Sequence, residues 1–388
     1  MVKLGWSKCL LIVCIAFIIG YIGFFNHEPI IDENNTTIFG RNVYNQTANI
    51  GDRAQLDYVI SFPDDHAPHE LFDIEWWYLT ANLKDKHGNP FGLQWTLFRF
   101  RNPSSLTIDT TVIESQWHNN QLFMAHASVH SIEQHWFSER FARGGVGNAG
   151  VSQYPFSLFI DDWLWENTIN SNDLLPATLN FTAQNKSNRQ SLLEAKLVMT
   201  QTGPLVLHGE NGYSIKSTGD HASHYYSAPF IDIEGELIIA TLGKEKEKVS
   251  VSGQAWFDQE WTSQLLDANT LGWDWFSLHL DNGSKLMAFT MRLNDQDDFI
   301  TGSYIASDGK QTTLQPADIN LRPLDTTTVR NKPLPLNWEL SVPSQNIEII
   351  ISSIKDDQWN DALIPYYEGM VEVKGSHQGK GFIELTGY

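Results

Sequence analysis

Along residues 91–101 the chain alternates, with Phe91, Leu93, Trp95 and Leu97 on one face and Gly92, Gln94 and Thr96 on the other. A period of two is that of a strand with one buried face. Residues 75–83 lead into it through Asp85-Lys86-His87-Gly88-Asn89-Pro90, a turn-forming run, so the two stretches read as a hairpin. Gln94 and Thr96, on the less apolar face, suit either solvent or a partly polar barrel lumen. The same grammar returns near the other end: residues 273–280, the turn Asp281-Asn282-Gly283, then a return strand over 285–292. Asn-Gly is the preferred pair of a two-residue hairpin loop. Each unit runs aromatic pair, strand, polar turn, return strand, arginine (Arg99 and Arg292), which reads as a weak internal duplication.

Between them, strands are expected over 122–130, 157–160, 192–201 and 205–208. Leu193, Ala195, Leu197 and Met199 alternate with Glu194, Lys196 and Val198, again a half-buried strand. The glycines at 144, 145, 147 and 150 read as a surface loop, because no strand-to-helix pattern or phosphate-loop lysine follows. Residues 221–227 form a cluster of hydrogen-bonding aromatics, either a ligand rim or a strand edge. After residue 300 turns recur at Ser307-Asp308-Gly309, at 333–335 and at Gly379. Short strands at such spacing argue for an all-β fold, sandwich or barrel.

The N-terminus departs from this pattern. Residues 9–25 are uncharged and follow Lys3 and Lys8. The run is near the shortest that spans a hydrocarbon core of ~30 Å, and its basic flank would stay cytoplasmic. Phe24-Phe25-Asn26-His27 offers no small-residue cleavage site, so an uncleaved anchor is favoured over a signal peptide. The expected location is the bacterial inner membrane with the body facing the periplasm, or outside the cell if the segment is cleaved. Residues 26–57 are polar and without apolar period, a tether.

Composition adds limits. With 388 residues the chain is long enough for two domains. Its formal net charge of -20, from 46 acidic and 26 basic residues, excludes the basic footprint of a nucleic-acid binder. Both cysteines, Cys9 and Cys14, lie in the apolar run, so the body has no disulfide or thiolate metal site.

The candidate chemistry is concentrated in Ala255-Trp256-Phe257-Asp258-Gln259-Glu260-Trp261 and Gly272-Trp273-Asp274-Trp275-Phe276. Carboxyls among indoles are partly desolvated and hold their protons at higher pH. Such a group suits protonation, or mere holding, of an apolar unsaturated ligand; a tryptophan-rich core with its acids turned outward fits the same residue types. Asp258, Glu260 and Asp274 are the candidate acids, with Glu75 beside Trp76 and Trp77 as their counterpart in the first unit. A zinc hydrolase lacks its HExxH signature, and the His126/His130 and His221/His224 pairs lack a linked carboxylate. His66 and His69, in the proline-bounded loop 62–69, are expected to bond backbone groups at a rim rather than a metal. A nucleophile elbow, G-x-S-x-G, is absent.

Taken in order, Phe62-Pro63-x-Asp65-His66, Glu75-Trp76-Trp77-Tyr78, Gln94-x-Thr96-x-Phe98-Arg99 and Ala125-His126-Ala127 resemble the carotenoid 1,2-hydratase and AttH-like group. So do Tyr225-Tyr226-Ser227, Asp258-x-Glu260-Trp261, Trp273-Asp274-Trp275, Tyr367-Glu368-Gly369 and residues 381–388. The resemblance implies two lipocalin-like (calycin) antiparallel β-barrels. Their expected limits are 57–262 and 263–388, after an anchor or signal at 1–27 and a tether at 28–56. It also implies a site in or between the barrel mouths and a hydrophobic, isoprenoid or lipid-like, small-molecule ligand, hydrated or hydrolysed with acid assistance. Asp274, Asp258 and Glu260 would be catalytic. Trp261, Trp273, Trp275, Gln259, Tyr225, Tyr226, Glu75, Trp77, Gln94 and His126 would bind substrate. No cofactor or metal is implied. Hydratases of the group usually carry histidine where this chain has Gln259, and glutamine does not exchange a proton near neutral pH. A carrier or chaperone for a hydrophobic ligand at the membrane is the alternative.

Overall fold

A computed structural model describes residues 37–38, 41–42, 51–101, 119–217, 221–264 and 269–388. The apolar run at 9–25 lies outside them; among the described residues no helix is long and apolar enough to cross a membrane. Within the stretch read as a tether, β1 (Thr37–Ile38) and β2 (Arg41–Asn42) form a small antiparallel ladder.

The first large sheet contains β3 (Ile74–Asp85), β4 (Pro90–Arg101), β5 (Gln121–Ser131), β6 (His135–Arg143), β7 (Ala149–Gln153), β8 (Phe156–Ile160) and β9 (Trp163–Asn167). It continues with β10 (Ala177–Asn185), β11 (Ser191–Gln201), β12 (Val206–Leu207), β13 (Tyr213–Ile215), β14 (Ala222–Thr241) and β15 (Glu247–Thr262). Its order β11-β14-β15-β3-β4-β5-β6-β10 closes because β10 also pairs with β11, giving an eight-stranded antiparallel barrel. The hairpin read from residues 75–101 is β3–β4, and the glycine-rich loop is a turn that gives way to β7 at Ala149. Residues 221–227 are the start of β14, paired to β13 on one side and β15 on the other.

The second sheet contains β16 (Thr270–Leu280), β17 (Lys285–Leu293), β18 (Phe299–Ile305), β19 (Gln311–Leu314) and β20 (Asn320–Val329). It is completed by β21 (Lys332–Val342), β22 (Ile347–Ser353), β23 (Trp359–Asn360), β24 (Tyr366–Gly375) and β25 (Gly379–Leu385). Here the expectation of two closed barrels is corrected. The order β19-β18-β17-β16-β25-β24-β22-β21-β20 ends without pairing β19 to β20, so this body is a half-barrel. Closure needs a continuous ladder on both end strands. β19 has only four residues, and β20 shifts register twice, around Pro323 and Asp325.

Strand parity decides where each side chain goes, because successive residues point to opposite faces. In β15, Phe257 and Trp261 join the core inside the barrel, while Trp256 joins a separate apolar layer between barrel and half-barrel. In β3, Trp77 and Leu79 point in and Tyr78 points to the layer. In β16, Trp275 faces the layer and Phe276 and Leu278 face the half-barrel's own core. The lumen of the barrel is filled by rings, among them Trp95 against Trp165 at 6.1 Å and Trp165 against Phe257 at 5.4 Å.

Candidate functional site

The parity of β3, β15 and β16 distributes the candidate residues over three places. At the mouth of the barrel, the loop before β3 folds over the strand ends. His69 lies flat on Trp261, centroids 3.7 Å apart and planes 5° apart. Its Nδ1 is 2.7 Å from Glu75 Oε1 and its Nε2 3.1 Å from Asp65 Oδ1. Arg99 donates from Nε to Glu75 Oε2 at 3.0 Å. Gln259 donates to Glu75 Oε1 at 3.0 Å and accepts from the Tyr226 hydroxyl at 2.6 Å, whose oxygen is also 2.7 Å from His66 Nδ1. Trp77 donates to the His66 carbonyl at 3.3 Å.

Burial opposes each of these charges, but the neighbours prevail. Glu75 and Asp65 hold the His69 imidazole above its usual range. His69 and then Arg99 hold Glu75 below the usual carboxylate range, and His69 and Tyr58 do the same for Asp65. Two anions meet two cations here, so the mouth is internally neutralised. The loop histidines bond mainly to side chains, not to the backbone groups expected from sequence.

The layer between the sheets is different, because three of its acids, Asp258, Glu368 and Glu384, have no ion pair among the described residues. Asp258 accepts from Trp256 Nε1 at 2.6 Å and from the Ser227 hydroxyl. Ser227 Oγ is 2.5 Å from His208 Nε2, and His208 Nδ1 is 2.9 Å from Ser303 Oγ on β18, so the chain of bonds crosses from barrel to half-barrel. Burial pushes Asp258 up to about 7, against the bonds from Ser227, Trp256 and Tyr225. Glu384 accepts from Trp273 Nε1 at 2.5 Å and Glu368 from the Tyr78 hydroxyl at 2.8 Å. The two glutamates are direct cross-strand neighbours. Ionising one therefore opposes ionising the other. Burial first, then the partner carboxylate, drives Glu368 well above its ordinary value; burial pushes Glu384 up to about 7. Aromatic rings enclose this region: Trp275 meets Tyr78 edge-on at 5.2 Å and Trp256 at 6.4 Å, and donates to the Tyr225 hydroxyl at 3.3 Å. Glu260 belongs to the same face but is ion-paired to Lys216 at 2.8 Å.

Gln94 and Thr96 also turn to this layer, buried and bonded to each other at 2.5 Å, rather than to solvent or the lumen. His126 bridges Glu139 and the Tyr366 hydroxyl, each at 3.0 Å. Asp274 stands apart. It shares the parity of Phe276, on the half-barrel's core side, accepting from the Tyr388 hydroxyl at 3.0 Å with Arg292 Nε at 3.3 Å. Burial outweighs both partners and pushes it up to about 7.

Sequence reading thus missed His69, Asp65, Arg99, His208, Glu368 and Glu384 as members of the polar network. A signal for the last existed: one carboxyl inside the apolar strand Phe382-Ile383-Glu384-Leu385 must be satisfied internally. An open cleft of about 510 Å³ enters the same inter-sheet layer near Asn82, Gln254, His279 and Met370. Among the described residues no cluster of three or more histidine, cysteine or acidic side chains is placed to hold a metal ion.

Three solved structures share this architecture. An AttH protein from Nitrosomonas europaea is 30% identical with a TM-score of 0.73, over 87% of this chain and 99% of its own. Kievitone hydratase from Nectria haematococca is 17% identical with a TM-score of 0.59, over 84% of this chain and 93% of its own. CghA with Sch210972 is 11% identical with a TM-score of 0.50, over 88% of this chain and 96% of its own. The last two share the fold alone. No protein of curated function matches the sequence. The AttH-like family model matches residues 53–388, and the chain belongs to that family.

Proposed function

We propose that the protein catalyses acid-assisted hydration, or the related hydrolysis, of a hydrophobic isoprenoid or lipid-like small molecule bound between barrel and half-barrel. The observation that carries this reading is Asp258: a buried carboxyl with no cation on it, held by Ser227 and Trp256. A group pushed up to about 7 keeps its proton near neutral pH and can deliver it. In the hydration, the Asp258 proton goes to one alkene carbon and the π pair forms the new C–H bond. The cation left on the neighbouring carbon faces indole and phenol rings, whose faces favour positive charge. Water adds there, and its surplus proton returns to the Asp258 carboxylate. Glu260, compensated by Lys216, stays available to orient water but is not the donor. The cleft of about 510 Å³ falls within the ~300–1,000 Å³ of small-molecule sites. Asp258 does not line it but lies behind Trp256, whose ring meets the lining residue His279 at 6.2 Å. A hydratase is among the proteins that share the fold. The run at residues 9–25 would anchor the body to the bacterial inner membrane, on its periplasmic side, close to lipid-like substrates.

The test is incubation with an isoprenoid alkene in ¹⁸O water. An ¹⁸O-labelled alcohol from wild type, absent with Asp258→Asn and retained with Asp274→Asn, is expected. Recovery of bound but unaltered ligand from wild type would make the protein a carrier instead.

A further inference from the structure

At the open end of the inter-sheet layer three cationic or imidazole side chains lie side by side on one sheet face. His279 of β16 is the direct cross-strand neighbour of Lys285 on β17 and of Lys380 on β25. Lys285 and Lys380 flank His279, and burial, then the Lys380 charge, pushes Lys285 down to about 8. Lys285 is only 3% exposed, yet no carboxylate among the described residues bonds to it. Its Nζ is 2.8 Å from His279 Nδ1 and 5.2 Å above the Phe230 ring. Burial, with Lys285 and Lys380 adjacent, keeps His279 far below its usual range and therefore neutral, so its Nδ1 accepts from Lys285. Lys380 donates to the Asn82 carbonyl at 3.3 Å.

All three side chains line the cleft of about 510 Å³, as does Lys84 from the barrel side. The acids on that wall, Asp281 and Glu372, are at least partly in solvent, and Glu372 is paired with Lys374 at 2.6 Å. Asp232, the acid acting on Lys285 from β14, is exposed as well. Beside the cations the wall carries apolar Ile354 and Met370 together with polar Asn82 and Gln254. A buried ammonium with no carboxylate bonded to it, on the wall of an open cleft that also presents Ile354 and Met370, is what an oxyanion on an apolar chain would complete.

We infer that this cleft is a binding site for an anionic amphiphile, with a carboxylate or phosphate on Lys285, assisted by Lys380 and Lys84, and the hydrocarbon chain along Met370 and Ile354. A neutral lipid would leave the Lys285 charge buried and unmatched, so the site selects acidic ligands over alcohols.

Calorimetric titration of the full chain at pH 7 with dodecanoate, dodecyl phosphate and dodecanol, each below its micelle concentration, tests this. At least one anion is expected to bind about tenfold or more tightly than dodecanol, the better of the two identifying the headgroup. Lys285→Met should bring anion affinity down to that of the alcohol, whereas Lys285→Arg should retain it. Should Lys285→Met fail to fold, Lys380→Met replaces it, with an expected loss of about threefold. Equal affinity for alcohol and anions, or anion binding undiminished in these methionine variants, would overturn the inference. Binding is read without turnover, so a catalytically silent protein that takes up the anion leaves this site standing.

Discussion

Replacing Asp258 with asparagine isolates one buried proton. The unfolded carboxyl ionises near 3.8, and in the fold burial pushes it up to about 7. Between those values the native state keeps a proton that the unfolded chain releases, so stability falls as pH rises. Its contribution is fully present below 3.8 and lost as pH passes through 7. At 1.36 kcal/mol per pKa unit, a rise of roughly three units is worth about 4 kcal/mol. Asparagine keeps the shape and has no proton to lose. Glu384 and Asp274 titrate in the same window, but they do so in both proteins and cancel in the difference. Urea unfolding of wild type and Asp258→Asn at intervals from pH 4 to 8 should therefore give stability curves that diverge, the variant gaining about 4 kcal/mol on wild type. Parallel curves would refute the claim that Asp258 is protonated in the fold, and with it the proposed proton donor.

Other expectations follow from the same network. Arg99→Met leaves the buried Glu75 with His69 as its cationic partner and Gln259 as a neutral donor, and should lower stability by about 3–5 kcal/mol in urea unfolding. Gln259→Leu takes one of two partners from the Tyr226 hydroxyl and from Glu75 Oε1, leaving His66 and His69 in place, and a loss of about 1–2 kcal/mol is expected by the same measurement. Asp65 is held below the usual carboxylate range, so its contribution is present above pH 4 or so and disappears as acid protonates it. Acid titration by circular dichroism should find Asp65→Asn flatter than wild type on the low-pH side. A Cβ on Gly253 would come 2.0 Å from the Asn82 carbonyl oxygen, so Gly253→Ala should be destabilising by about 2–4 kcal/mol in thermal unfolding.

The hairpins could be read from the chain because both alternation and turn chemistry are local. β4 places Leu93, Trp95 and Leu97 in the barrel core, and the Asp281-Asn282-Gly283 turn takes its positive φ of 83° at Gly283. What alternation could not tell was which environment the second face meets. Gln94 and Thr96 looked like solvent or lumen residues, but a second sheet covers them, and that sheet comes from almost two hundred residues later in the chain. The same limit split the tryptophan-acid motif. Asp258 and Gln259 are adjacent in sequence yet one faces the layer and the other the barrel mouth, so a compact motif became two sites. His69, Glu368 and Glu384 could be joined to them only by pairings between distant strands, for which no short-range pattern exists. Closure of the second barrel was implied by the family resemblance, but a four-residue β19 and a twice-bulged β20 leave no matching ladder.

That unclosed sheet has a consequence for the protein's behaviour at high concentration. A terminal strand with free amides and carbonyls recruits strands from strangers unless something spoils its regularity. β19 is short and tied down, Thr313 donating to the Gly209 carbonyl at 2.8 Å. β20 is longer, but Pro323 withholds an N–H and the double register shift bends its rim away from any flat docking strand. The irregularities that keep the half-barrel from sealing thus also act as its guard against fibre-like self-association.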